Sequence, residues 1–141
     1  MKKSEVLDRF SRVPLFSGCS KRELADIAGA AKEIEQPAGT VLATEGDPGV
    51  GFFLIVEGEA KVTIGGRSRG RMGPGDFFGE ISLIDGGPRT ATVTAEAPVR
   101  MLGLTAWVFR RLIVENPAIA PKLLQAMAAR LRAAPKAAVS D

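Results

Sequence analysis

The sequence predicts a mainly β protein with helices at both ends, an antiparallel roll or jelly roll of short strands. Two observations carry this. From Lys32 to Leu104 turn residues recur regularly, at Pro37-Ala38-Gly39, Gly46-Asp47-Pro48-Gly49, Glu57-Gly58-Glu59, Gly65-Gly66, Gly73-Pro74-Gly75, Gly86-Gly87-Pro88 and Ala97-Pro98. Between them lie short runs rich in Val, Ile, Phe and Thr, such as Phe52-Phe53-Leu54-Ile55-Val56 and Ala60-Lys61-Val62-Thr63-Ile64, the pattern of strands closed by tight turns. The glycine spacing taken alone also suits other sandwiches.

Taken in order, Val6, Leu7 and Phe10 share one helical face, so a short amphipathic helix is expected from about Ser4 to Arg12, ended by Pro14. Leu15-Phe16-Ser17-Gly18 reads as a turn. Ser20-Lys21-Arg22-Glu23 has the capping-box pattern, and Leu24, Ile27, Ala28 and Ala31 follow as the apolar stripe of a second helix. Beyond the strands, Thr105 can cap a helix from Ala106 to Glu115. Its Trp107, Val108, Phe109, Leu112 and Ile113 form a broad apolar face, with Trp107 read as core rather than as a stacking platform. Asn116-Pro117 opens a last helix running to about Ala133. Pro121 lacks an N–H, so either the first turn bends there or the regular helix starts beyond Pro117. Leu124, Met127 and Leu131 follow a three-then-four spacing, which suits a homodimer seam, packing on the roll, or a lid over a ligand. The expected organisation is a single domain over 1–133, with helices in 4–31, the roll in 32–104 and helices in 105–133. Residues 134–141 are expected to be a flexible tail.

With 141 residues the chain has room for one domain with a real core, not two. It is 45% hydrophobic and 25% charged, as soluble proteins are, and no stretch approaches the length of a membrane span. No apolar run follows Lys2 and Lys3, so a cytoplasmic location is expected. The single cysteine, Cys19, excludes an internal disulfide and reads as a small buried residue before a helix. With no histidine, the commonest zinc sites, histidine bases and Ser-His triads are absent, and neither an enzyme nor a cofactor is expected. The net charge is +3. Arg67, Arg69 and Arg71, at alternate positions, are expected to share one solvated strand face, a nucleic-acid patch being the less favoured reading.

The chemistry concentrates between Asp76 and Thr94. Gly79 carries no Cβ over its backbone N–H, and Ile81-Ser82-Leu83-Ile84 can form a helical turn whose free N–H groups attract a phosphate. Arg89, expected to start a strand in which Thr alternates with Ala or Val, offers a planar fork suited to two phosphoryl oxygens. Glu80 would repel the same anion, so its natural partner is a hydroxyl such as a ribose 2′-OH. A ligand with one phosphate charge and one free ribose hydroxyl satisfies the set.

The runs Phe78-Gly79-Glu80-Ile81-Ser82-Leu83 and Pro88-Arg89-Thr90-Ala91-Thr92-Val93 closely resemble the phosphate-binding cassette of cyclic nucleotide-binding domains. Such domains occur in cAMP-dependent kinases, gated channels and bacterial cAMP-responsive regulators. The resemblance covers about Leu15 to Leu131 and implies a β-roll, that is, a double-stranded β-helix. It also implies ligand-binding positions Phe78, Gly79, Glu80, Ile81, Ser82, Arg89, Thr90 and Ala91. Among these, Gly79 and Ser82 would donate to the cyclic phosphate, Arg89 would neutralise it, Glu80 would accept from the ribose, and Thr90 would donate to phosphate or base. Val62, Gly70 and Met72 fall where the family packs purine and sugar, with core packing, or a bulge at Gly70, an equal reading.

The resemblance implies cAMP as ligand, with cGMP second, and signalling through movement of the last two helices to a separate protein partner. No helix-turn-helix, kinase or channel follows the last helix, so no DNA-binding output is expected. The bacterial regulators hold adenine with hydroxyl side chains where this chain has Ala133-Ala134-Pro135. That departure motivates the alternative of a roll that binds no nucleotide and serves as a protein-interaction scaffold.

Overall fold

The computed structural model describes residues 1–49 and 51–133. In chain order they form α1 (Lys3–Ser11), a 3-10 turn (Pro14–Phe16), α2 (Lys21–Ala30), β1 (Lys32–Gln36), β2 (Val41–Ala43), β3 (Gly51–Glu57), β4 (Ala60–Ile64) and β5 (Arg67–Met72). There follow β6 (Phe77–Phe78), α3 (Glu80–Asp85), β7 (Thr92–Ala95), β8 (Val99–Thr105), α4 (Ala106–Glu115) and α5 (Ile119–Ala133). Among the described residues the strands make two antiparallel four-stranded sheets, ordered β1-β8-β3-β6 and β2-β7-β4-β5. This is the antiparallel roll with flanking helices that the turn spacing and the cassette resemblance predict.

Contacts divide the chain into two compact units, Ala30–Arg110 and a second made of Met1–Gly29 with the chain from Arg111 on. In the first, β3 and β8 are apolar on both faces and therefore take the central places of their sheet. One face of this sheet supplies Ile55, Phe78 and Met101 to a core shared with Ala43, Ala60, Val93 and Ala95 of the other sheet, with Ile34, Leu42, Phe53 and Met72 packed against it. Alternation along β7, where Val93 and Ala95 are buried, turns those residues inward and the threonines outward.

Three expectations within this unit are corrected. Arg67, Arg69 and Arg71 do not share a face: β5 pairs Arg71 with Lys61 but Ser68 with Thr63, so Arg69 and Gly70 together oppose Val62. Gly70, at φ 112, allows this bulge, which resets the alternation. Arg71 therefore lies beside Lys61 on one face of the strand, while Arg67 pairs with Ile64 on the other; all three arginines are exposed, as expected, but they form no stripe. Trp107 is 67% exposed rather than core; Ala106 and Phe109 are the buried residues of this part of α4. Third, β7 begins at Thr92, because Arg89 and its neighbours are engaged in loop bonds described below.

In the other unit, Phe10 and Phe16 lie with ring centres 5.9 Å apart, and α5 packs on the 3-10 turn. The capping box forms as read. Glu23 N donates to Ser20 Oγ at 3.2 Å and Ser20 N donates to Glu23 Oε1 at 2.7 Å. Lys122 of α5 donates to the same carboxylate oxygen at 2.5 Å. Together these bonds, Lys122 first, hold the Glu23 carboxyl below its usual range. Cys19 is half-buried, not fully buried, and burial raises its thiol pKa. Regular helix resumes only at Ile119, which resolves the Pro117–Pro121 ambiguity in favour of a late start. Ile119, Leu123 and Ala126 are buried, whereas Leu124 and Leu131 are 67% and 68% exposed. The predicted tail lies outside the described residues.

Candidate functional site

The stretch that carries the chemistry is folded by its glycines and by a neighbouring loop. Gly79 sits at φ 88 as the residue preceding α3, and a Cβ there would overlap the Gly51 carbonyl oxygen and Arg89 Nη1. Only glycine fits both the conformation and the space. Gly86, at φ 67, ends α3 with its N–H donating to Ser82 O at 2.8 Å. Asp85 then accepts from Gly87 N at 2.7 Å, which tightens the turn toward Arg89.

The backbone of Arg89 is pinned by the loop that follows β2. Its N–H donates to Asp47 O at 2.8 Å and its carbonyl accepts from Gly46 N at 2.9 Å. Pro48 and Pro88 form an isolated bridge, and Gly49 N donates to Gly87 O at 3.1 Å. The loop 46–49 therefore grips residues 87–89 along their whole length.

These constraints create a pocket of about 90 Å³ lined by Phe78, Gly79, Glu80, Ile81, Ser82, Pro88, Arg89, Thr90 and Ala91, with Ala43 and Val93 at its inner wall. Arg89 is 8% exposed, and its Nη1 has no hydrogen-bond partner among the described residues. Its guanidinium carbon lies over the Phe53 and Phe78 rings, 5.9 and 6.0 Å from their centres. Burial pulls its pKa below the usual guanidinium value, but an arginine remains cationic at neutral pH. A buried cation with an unused donor is costly unless an anion arrives to pair with it. Ser82 is also buried, and its hydroxyl donates to Gly87 O at 3.2 Å. Among the described residues no cluster of His, Cys, Asp and Glu could hold a metal ion. The pocket suits a small anion carried on a larger, partly polar ligand.

The model of the cyclic nucleotide-binding domain family matches residues 33–116, which contain this whole pocket. The chain belongs to that family. Consistent with this, it is 35% identical over 129 residues to a "CRP-like cAMP-activated global transcriptional regulator" of Mycobacterium tuberculosis, covering 86% of this chain and 57% of the relative. It is 39% identical over 107 residues to a cAMP-dependent protein kinase regulatory subunit of Aspergillus niger, covering 72% and 25%. Among solved structures it is similar to the N-terminal domain of a transcriptional regulator from Streptomyces coelicolor A3(2). That likeness has a TM-score of 0.79 at 35% identity, covering 89% of this chain and 90% of the other. The chain thus spans between a quarter and just over half of the two curated relatives.

In this cyclic nucleotide-binding domain the eight cassette positions singled out from sequence all line one pocket. Val62, Gly70 and Met72 do not line it: Met72 packs against the core, and Gly70, exposed at the bulge, has no atom near the position of a Cβ. Residues missed from sequence are Ala43, Pro88 and Val93 on the wall, with Gly49 and Phe53 behind it. For Pro88 and Val93 the signal was their place within the cassette run. For Ala43, Gly49 and Phe53 no local pattern exists, because their position depends on strand register and loop pairing.

Proposed function

We propose that the pocket binds a cyclic nucleotide, cAMP ahead of cGMP, and that the domain acts as a regulatory sensor. The observation that carries this reading is the buried Arg89 guanidinium with its unpartnered Nη1. In this reading Arg89 pairs with the cyclic phosphate, Gly79 and Ser82 donate to it, Glu80 accepts from the ribose 2′-OH, and Thr90, exposed at the rim, reaches phosphate or base. Ser82 can turn to the ligand cheaply, since Gly87 O keeps its bond from Gly49 N. The two relatives named above, a cAMP-activated regulator and a cAMP-dependent kinase regulatory subunit, favour cAMP.

Binding draws α3 onto the phosphate, shifting Ile81 and Leu83, and α4 and α5 change position in response. The altered helices signal to a separate protein partner, in a cytoplasmic setting, with the exposed Leu124 and Leu131 as the seam of a homodimer. Among the described residues no helix is long and apolar enough to cross a membrane.

The test is calorimetric titration of cAMP, and separately cGMP, into protein freed of nucleotide by unfolding and refolding, with Arg89→Ala alongside. A charge-assisted contact of roughly 1.5–3 kcal/mol predicts weakening by about one to two orders of magnitude in the variant. Absence of heat with either nucleotide, together with an unchanged melting temperature, would overturn the proposal in favour of a protein-interaction scaffold.

A further inference from the structure

Arg89 is held at its backbone by the loop 46–49, but its guanidinium rests on something else. Phe53 on β3 is paired across the sheet with Phe78 on one side and Gly103 on the other. The row Gly103, Phe53, Phe78 therefore shares one face of the sheet. Gly103 leaves a vacancy that the Phe53 ring leans into: a Cβ on Gly103 would lie 3.2 Å from Phe53 Cε1 and 2.6 Å from Ile34 Cδ1. The Phe53 and Phe78 rings lie 5.3 Å apart at 30°, forming a tilted aromatic shelf, and the Arg89 Cζ lies over both.

We infer that Phe53, which lies outside the cassette, is a positioning residue that presents the Arg89 guanidinium to the ligand's anionic group. A ring face attracts a cation without offering a lone pair to its N–H groups. Phe53 thereby keeps the charge inside the pocket and leaves donor capacity free for a phosphate, whereas a carboxylate at the same place would consume it. Without the ring, the guanidinium loses half its shelf and gains by turning toward water. The ligand must then recover it, which lowers affinity although Phe53 touches no ligand atom. Gly103 serves the same end, because a Cβ there would clash with Ile34 Cδ1 and crowd the ring.

This inference rests on the reading of the pocket as a cyclic nucleotide site, and the experiment separates the two. Affinity for cAMP is measured by calorimetry for the wild-type chain, Phe53→Leu, Phe53→Tyr, Arg89→Gln and the double variant Phe53→Leu/Arg89→Gln, with the melting temperature of each recorded without nucleotide. Phe53→Leu is expected to weaken binding about tenfold, the order of one desolvated cation–π contact. Phe53→Tyr, which keeps the ring, is expected to stay within about threefold of wild type. In the Arg89→Gln background, Phe53→Leu is expected to add no more than about twofold. Equal weakening by Phe53→Leu in both backgrounds would make Phe53 a packing residue and overturn the inference, as would wild-type affinity in Phe53→Leu. Absence of cAMP binding by the wild-type chain overturns the reading of the pocket and this inference with it.

Discussion

A methyl group on Gly49 would occupy the space already taken by the Ser82 side chain. The two residues also share an acceptor, since Gly49 N and Ser82 Oγ both donate to Gly87 O, at 3.1 and 3.2 Å. One carbonyl thus joins the loop 46–49, the turn after α3 and α3 itself. Gly49→Ala is expected to displace Ser82, costing about 1–3 kcal/mol of stability as overpacking does, and to weaken nucleotide binding. Thermal melts and cAMP titration check both effects. Gly49→Ala/Ser82→Gly, which removes the opposing side chain, is expected to recover most of the stability but not the Ser82 contribution to binding.

Arg89 is expected to be a residue whose cost in the empty protein is recovered in the complex. Its side chain is buried and Nη1 lacks a partner, so a long apolar replacement relieves the burial of an incompletely paired charge. Arg89→Met is therefore expected to melt at or above the wild-type temperature without ligand. With cAMP at a hundred times the wild-type Kd, the wild-type chain gains about 2.7 kcal/mol. Arg89→Met, binding one to two orders more weakly, is expected to gain only about 0.4–1.4 kcal/mol. A marked loss of stability in the ligand-free variant would instead show that Arg89 is retained for packing.

What the sequence made legible was local. Ser20 and Glu23 are three residues apart and form their capping box, and Thr105 Oγ1 accepts from Val108 N at 3.3 Å at the start of α4. The cassette positions 78–82 and 89–91 are nearly contiguous, so one short stretch carries most of the pocket. What stayed hidden depends on pairing between distant segments. Asp47 and Gly46 hold Arg89 across more than forty residues, and Phe53 reaches it only because β3 lies between β8 and β6. A single extra residue at Gly70 was enough to separate three arginines that simple alternation had grouped. Trp107 misled for a related reason: helical spacing defines a face, but only packing decides which edge of it is covered.

Glu23 predicts a specific acid sensitivity. Its carboxyl pKa is lowered in the folded chain, first by the bond from Lys122 and then by that from Ser20 N. A depressed folded pKa means stability that is fully present above the unfolded value, near 4.5, and is lost as pH falls through the lower folded value. Denaturant unfolding of the wild-type chain should thus lose stability below about pH 4.5, and Glu23→Gln should lose less over the same range while being less stable at neutral pH. Identical pH profiles for the two proteins would mean that the Lys122 and Ser20 bonds do not favour the charged form.

Leu124 and Leu131 lie two helical turns apart on α5, and both are exposed, while Ile119, Leu123 and Ala126 are buried. Their position is therefore free to vary without disturbing the core, and their cost in water is offset only if something covers them. If a second copy does so, the wild-type chain should sediment as a dimer at high concentration and dissociate on dilution. Leu124→Glu/Leu131→Glu should be monomeric throughout, because like charges would face each other across a two-fold seam. Its melting temperature under dilute, monomeric conditions should match that of wild type, since substitutions at exposed sites usually change stability by about 0.5 kcal/mol or less. A wild-type chain that is monomeric at all concentrations would remove the seam and leave this face to a different protein. A double variant that melts far lower as a monomer would instead show that these leucines pack within the chain itself.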